Sequence, residues 1–217
     1  MTHPFQSARL TYRAVEPEGD SALFLSIFHD PFGFHNANIS LPKPQNKASA
    51  QAYLKQVAES KLVGVVMCLS AENSQETSSH DDSTEGQSKE NNLSRLTPIG
   101  AIHLSALEPK HAHHRHTEIG IDILPRYQNQ GYGSEAIRWI TDFAFSQCGM
   151  HRVLLRSLEW SPGARRLYER LGFQFEGRER EAFWSGGRWW DGFSFGMLEG
   201  EWRVLQEAGN DAGSGKV

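Results

Sequence analysis

The stretch that decides the fold is "RYQNQGYGSEAIRW", Arg126 to Trp139. It sets Gly131 and Gly133 between a segment of strand character and one of helix character. Upstream, in "TEIGIDIL" (117–124), Ile119, Ile121 and Ile123 alternate with Glu118, Gly120 and Asp122, which predicts a strand with one apolar and one polar face. Downstream, Ala136, Ile137, Ile140, Phe143 and Ala144 recur at three and four residues. That spacing predicts a helix from about Gly133 to Cys148, stopping at Gly149. Two glycines at such a junction let the backbone approach something closely.

Several readings of the turn compete. A P-loop needs a Lys directly after its last glycine, and none follows Gly133. A dinucleotide fingerprint matches formally at Gly131, Gly133 and Ala136, but Pro125 to Gln130 separate the strand from the first glycine, and repeated βαβ units are missing. A tight turn without a ligand is the plain alternative. The last reading is a loop whose amide N–H groups, at about Gln128 to Ser134, wrap a pyrophosphate at a helix N-terminus.

Outward from the turn, "RVLLRSL" (152–158) predicts a short buried strand. "SPGARRLYERLG" follows as a helix, with Ser161 of N-cap type, Pro162 at its first position and Gly172 just past its end. "FQFEG" and "GFSFGML" read as two closing strands joined by an aromatic loop, "AFWSGGRWWD". Toward the N-terminus, "RLTYRAV" (9–15), "LVGVVMCLS" (62–70) and "PIGAIHLSAL" (98–107) predict strands. "DSALFLSIFHD" (20–30) predicts a helix capped by Asp20 and ended by Pro31, and "SAQAYLKQVAES" (49–60) a second one. The order is β-α-α-β-β-β-α-β-α-β-β, a mixed α/β (α+β) sheet with helices on its faces.

The net charge of −4 carries no message about partners. Residues 71–96 hold six acids against Lys89 and Arg95, which accounts for the whole surplus. The balanced remainder predicts neither a nucleic-acid patch nor a membrane-binding one. The same segment lacks the apolar residues needed to offset ordering entropy, so it reads as a disordered insertion. Residues 204–217 read as a flexible tail beyond one domain spanning 1–203. No apolar run is long enough for a bilayer. The first twenty residues lack a leader-like stretch, and Cys68 and Cys148 are the sole cysteines. Together these predict a cytoplasmic protein with reduced thiols, with a nuclear location left open.

Gln128-x-x-Gly131-x-Gly133 resembles the pyrophosphate motif, Q/R-x-x-G-x-G/A, of the GNAT superfamily of acetyl-CoA-dependent N-acetyltransferases. The match runs from Thr117 to Arg180 and includes "ARRLYERLGF"; "ARLTYRAVEPEGDSALFLSIFHDP" resembles the family's start. The likeness is to the RimJ/RimL-like branch. It implies a largely antiparallel sheet whose central strands splay into a V that takes up acetyl-CoA. Gln128, Asn129, Gln130, Gly131, Tyr132, Gly133 and Ser134 would hold the pyrophosphate, and the strand amides at Ile121 and Ile123 would meet the acetyl end. Ser161 stands where the family often has Asn beside the pantetheine.

Two residues carry the implied chemistry. Tyr168 matches the family tyrosine near the CoA sulfur, although its spacing also suits a core residue. Glu118 is the candidate base, with an ion-paired strand residue as its alternative. Asp122 lies four residues on, about 13 Å away in a strand, too far for a close carboxylate pair. "HAHHRH" (111–116) reads as a polar loop, with no metal expected. "FWSGGRWWDGF" is either an acceptor wall or a set of core aromatics. The implied acceptor is an amine, on a small molecule or a protein N-terminus. The implied assembly is a monomer or homodimer, and a catalytically silent module binding CoA or a protein partner is the alternative function.

Overall fold

A computed structural model describes residues 3–41, 43–69 and 96–214. Its strands are β1 (Leu10–Ala14), β2 (Val63–Leu69), β3 (Thr97–Leu104), β4 (His116–Ile123), β5 (Arg152–Leu158), β6 (Gln174–Ser185) and β7 (Arg188–Leu198). The helices are α1 (Ser21–Phe28), α2 (Pro31–Ala37), α3 (Lys47–Lys55), α4 (Tyr132–Ser146), α5 (Pro162–Arg170) and α6 (Glu199–Ser214). The strands form one sheet in the order β1-β2-β3-β4-β5-β7-β6. Every neighbouring pair is antiparallel except β4 with β5, so the expected mixed, largely antiparallel sheet is present.

The single parallel pairing creates the site. β4 and β5 are joined at His116↔Arg152, Thr117↔Val153 and Glu118↔Leu154, and nowhere beyond. Both strands run on, to Ile123 and Leu158, paired with β3 and β7 on their outer sides but not with each other. The sheet therefore splays into a V at the C-terminal ends of its two central strands. Each side of the sheet has its own core. One, under α4 and α5, includes Ile119, Ile137, Ile140, Leu155, Tyr168 and Phe195. The other, under α1 and α3, includes Phe24, Leu54, Val57, Val66 and Ala101. Fully burying a side chain such as Phe24 contributes about 1.5–3 kcal/mol; the first core takes residues from both arms of the V, and the second backs one arm alone.

Several local expectations are corrected. Pro31 does not merely end α1; it begins α2, with the Asp30 carboxylate accepting from the Phe32 N–H. Asp20 sits at the N-cap of α1, but its carboxylate accepts from Arg13 and from the Glu16 N–H instead of capping the helix. Ser161 likewise occupies the N-cap of α5 without a side-chain cap bond. "AFWSGGRWWD" is no loop, because β6 and β7 continue through it to Ser185↔Arg188. Gly186 and Gly187, at φ +59° and +82°, make a two-residue turn whose twist suits a hairpin. The C-terminal segment read as a tail is helical to Ser214. Leu205 of α6 packs where a Cβ on Gly172 would stand, 2.7 Å from its Cδ1. The insertion read at 71–96 lies outside the described residues except for Leu96. Among the described residues, no helix is long and apolar enough to cross a membrane.

Candidate active site

The V opens into a cleft of about 920 Å³, walled by β4, β5, α2, α4 and α5. Its floor is the polar face of β4. Glu118 carbonyl oxygen accepts from the Ser105 N–H, and Leu124 N–H donates to Ile99, so even-numbered positions of β4 bond toward β3. By the alternation of an antiparallel ladder, the backbone groups of Ile121 and Ile123 point the other way. There β5 has already departed. The Ile123 carbonyl accepts from the Gln128 side-chain amide at 2.7 Å, and no strand covers the Ile121 N–H.

At one end of the cleft stands the N-terminus of α4. Gly131 is its N-cap in the left-handed region, at φ +85°, and Asn129 is also left-handed, at φ +60°. The Glu135 N–H closes the first helical turn onto the Gly131 carbonyl. The N–H groups of Tyr132, Gly133 and Ser134 therefore have no intrahelical acceptor. Gln128 and Gln130 spend their side chains bracing the loop, on the carbonyls of Ile123 and Arg126. What the loop offers outward is thus backbone. Gln128, Asn129, Gly131, Gly133 and Ser134 line the cleft, as does Ser161 across from them. Arg170 reaches over from α5, its Nη2 3.3 Å from Ser134 Oγ.

Tyr168 and Glu118 both line the cleft. Tyr168 is 7% exposed and packs edge-on to Phe195, yet it also lines the cleft. Burial, and then the Glu118 carboxylate, push its phenol up to about 12. The core reading of this tyrosine holds, and the same side chain also forms part of the cleft wall. Glu118 is paired with Arg156 of β5, 3.1 Å away, at the point where the two strands part. Asp122 is used elsewhere, accepting from the Tyr53 hydroxyl at 2.6 Å, and burial pushes its carboxyl up.

Three site residues escaped sequence reasoning. His103 of β3 lines the cleft, is 7% exposed, and has no hydrogen-bond partner for Nδ1 among the described residues. Its ring fills the space over Gly120, where an added Cβ would fall 2.2 Å from Cε1. Burial, then the nearby Lys61, lower its pKa to about 3, so the imidazole is neutral. Burial also lowers the Lys61 ammonium, against the pull of Glu118. The third is Arg9, which lies against the glycine loop. The glycine at 120 facing a histidine on a predicted strand was the one available signal for His103. The histidines at 111–116 lie apart from the cleft; His111, His113 and His114 fall in an exposed 3₁₀ turn, Pro109–His114.

Of the aromatic cluster, Phe183 lines the cleft, whereas Trp184 and Trp189 stand exposed on the outer hairpin. The carboxylate-bearing residues Asp30 and Glu179 also line the cleft.

Residues 9–174 match the model of the acetyltransferase (GNAT) domain. Among curated proteins, the uncharacterized N-acetyltransferase YnaD of Bacillus subtilis is 34% identical over 85 residues, 39% of this chain and 50% of that one. The spermidine N(1)-acetyltransferase of Vibrio cholerae is 35% identical over 78 residues, 36% of this chain and 45% of that one. The chain thus spans about half the length of the curated relatives it matches. A solved structure of spermidine N-acetyltransferase from Vibrio cholerae, in complex with CoA and spermine, superposes with a TM-score of 0.67 at 21% identity. That superposition covers 91% of this chain and 99% of the other. The splayed sheet, the left-handed glycine at the head of α4 and the match over residues 9–174 lead to one conclusion: this chain belongs to the GNAT acetyltransferase family.

Proposed function

We propose that this protein transfers an acetyl group from acetyl-CoA to an amine in a ternary complex, as a member of the RimJ/RimL-like branch. The observation that carries the reading is the V. Pairing of β4 with β5 ends at Glu118↔Leu154, and the resulting cleft joins a bare helix N-terminus to a buried tyrosine. The residues fit the cofactor. The N–H groups of Tyr132, Gly133 and Ser134, with the positive end of α4, suit a pyrophosphate. The Ile121 N–H in the gap suits the carbonyl of a bound acyl group.

Acetyl-CoA supplies an activated thioester. The chain's residues then have three tasks: orient, take a proton, and stabilise a leaving sulfur. Amine nitrogen forms the new C–N bond while the C–S bond breaks and its electron pair leaves on sulfur. The Tyr168 hydroxyl, buried and protonated, donates a hydrogen bond to that sulfur. A thiol of ordinary pKa, roughly 8.5, is more acidic than this phenol. Tyr168 therefore steadies the charge more than it surrenders its proton. Lys61 shows how the cleft treats an ammonium: burial lowers its pKa while Glu118 holds the charge. An acceptor amine brought beside Glu118 meets the same two influences. Desolvation favours its neutral, nucleophilic form, and Glu118 receives the proton, directly or through water.

The acceptor class is a cationic amine. Asp30, Glu118 and Glu179 line the cleft together with Lys61, Arg156, Arg166 and Arg170, and a carboxylate such as Glu118, already drawn to the Lys61 ammonium, suits a bound ammonium. The Vibrio relatives named for spermidine point the same way. Spermidine is accordingly the first probe, with peptides bearing a free N-terminus beside it. CoA release should appear with at least one of these acceptors. Tyr168→Phe keeps the ring and its packing but removes a hydrogen-bond donor to the developing charge, and should lower kcat by ~10²–10³ while acetyl-CoA affinity stays within a few-fold. Glu118→Gln should weaken the acidic limb of the pH–rate profile. Fully active Tyr168→Phe would leave the tyrosine as a packing residue. Cofactor binding with no turnover on any amine would favour the silent module.

A further inference from the structure

Arg9 lies just before β1, far in sequence from the glycine loop, yet it touches that loop on both sides of its left-handed residue. Its backbone N–H donates to Glu135 Oε1 at 2.6 Å and its Nε to Glu135 Oε2 at 2.8 Å. Its Nη1 donates to the Gln130 carbonyl at 3.0 Å. The guanidinium lies 4.5 Å from the centre of the Tyr132 ring. Its Nη2 stands 3.1 Å from where a Cβ on Gly131 would be. Ser7 completes the cluster, its hydroxyl donating to Glu135 Oε1 at 2.7 Å.

The loop needs such a hold. Asn129 and Gly131 both sit at positive φ, a conformation an open chain visits rarely for any residue but glycine. The braces from Gln128 and Gln130 tie the loop only to residues upstream of Gly131. Arg9 is the contact that joins Gln130, before the turn, to Tyr132 and Glu135, inside the helix. It also answers a charge problem. Glu135 is in the first turn of α4, where a bare carboxylate would repel a phosphate at the helix N-terminus. Although burial pushes Glu135 up, the bonds from Ser7 and Arg9 hold it below the usual carboxylate range, so it is ionised. The guanidinium neutralises it on the spot.

We infer that Arg9 is a positioning residue for the cofactor: it holds Gln130 to Glu135 in the shape that takes a pyrophosphate and cancels the Glu135 charge beside it. This inference rests on the proposed acetyl-CoA site. Its action runs through the loop and Glu135, so its loss should appear in cofactor affinity before it appears in turnover.

The test uses CoA as the probe, titrated calorimetrically into the full chain and its variants. Arg9→Met keeps the stem over Tyr132 and removes every donor of the guanidinium. It should raise the CoA Kd at least ~10-fold, while the melting temperature of the free protein changes little. Arg9→Lys should recover part of the affinity. Glu135→Gln should weaken binding less than Arg9→Met, and the loss in the Arg9→Met/Glu135→Gln double variant should be smaller than the product of the two single losses. If Arg9→Met does not fold, Arg9→Lys and Glu135→Gln make the same comparison. Wild-type protein that fails to bind CoA would overturn the site reading itself. Wild-type binding, with folded variants that keep its Kd within twofold or lose melting temperature alone, would overturn the role of Arg9 and leave the site standing.

Discussion

At the scale of single residues, the cleft pushes its titratable groups toward their neutral forms. Burial raises Tyr168, Tyr53 and Asp122 and lowers His103 and Lys61. For His103 this has a consequence for stability. The unfolded chain takes up a proton at this residue near pH ~6.5, but the folded chain does so only near a pKa of about 3. Between those values the unfolded state binds more protons, so folding stability falls as the pH falls. The contribution is on the order of 3 kcal/mol by pH 4. His103→Gln cannot titrate. Melting temperatures from pH 7 down to 4 should therefore fall less steeply in that variant than in wild type, and parallel slopes would refute the buried neutral imidazole. Sequence legibility at this scale was uneven. Gly131 and Gly133 were legible because two glycines between an alternating strand pattern and an apolar helix stripe form a local, contiguous signal. Arg9 gave no signal, because its partner Glu135 lies 126 residues away and no local period links them.

At the scale of elements, what could be read depended on whether the signal was local. The strand at β4 and the helices α4 and α5 follow from alternation, apolar stripes and terminal glycines, and they stand within a few residues of the expected bounds. α2 was missed because it has only seven residues, and a proline that opens one helix looks the same as one that ends another. The long β6–β7 hairpin was read as two short strands because its outer end has no polar–apolar alternation; exposed Trp184 and Trp189 pair across it at the Gly186–Gly187 turn. The β2–β3 hairpin carries its own prediction. Leu69 pairs with Thr97, so the chain ends that flank residues 71–96 are already neighbours. A short Gly-Ser linker in place of residues 71–95, keeping Leu96 where it packs against the core under α1 and α3, should leave the melting temperature and acetyl-CoA affinity nearly unchanged. A large loss of cofactor binding would assign that segment a place in the site, and a changed acceptor preference alone would assign it a part in acceptor choice.

At the scale of the whole molecule, the cleft follows from one topological event. A sheet that is antiparallel nearly throughout admits one parallel pair at its centre, and that pair separates after three positions. One core under α4 and α5 ties the two arms together on one face, and α4 starts at the mouth of the cleft between them. The resemblance at residues 128–133 pointed to this architecture; spacing alone left a bare turn and a pyrophosphate loop as equals. The cleft wall around Lys61, His103 and Glu118 was less legible, since these residues come together only through β-sheet register and helix packing. The central claim is that the cleft takes acetyl-CoA by its pyrophosphate at the glycine loop. The direct measurement is calorimetric titration of acetyl-CoA into wild type and into Gly131→Val, which places a β-branched side chain at φ +85° beside Arg9. The account predicts saturable one-site binding by wild type and an affinity at least ~10-fold weaker, about 1.4 kcal/mol, in a folded variant. Equal affinity in the two folded proteins would contradict it.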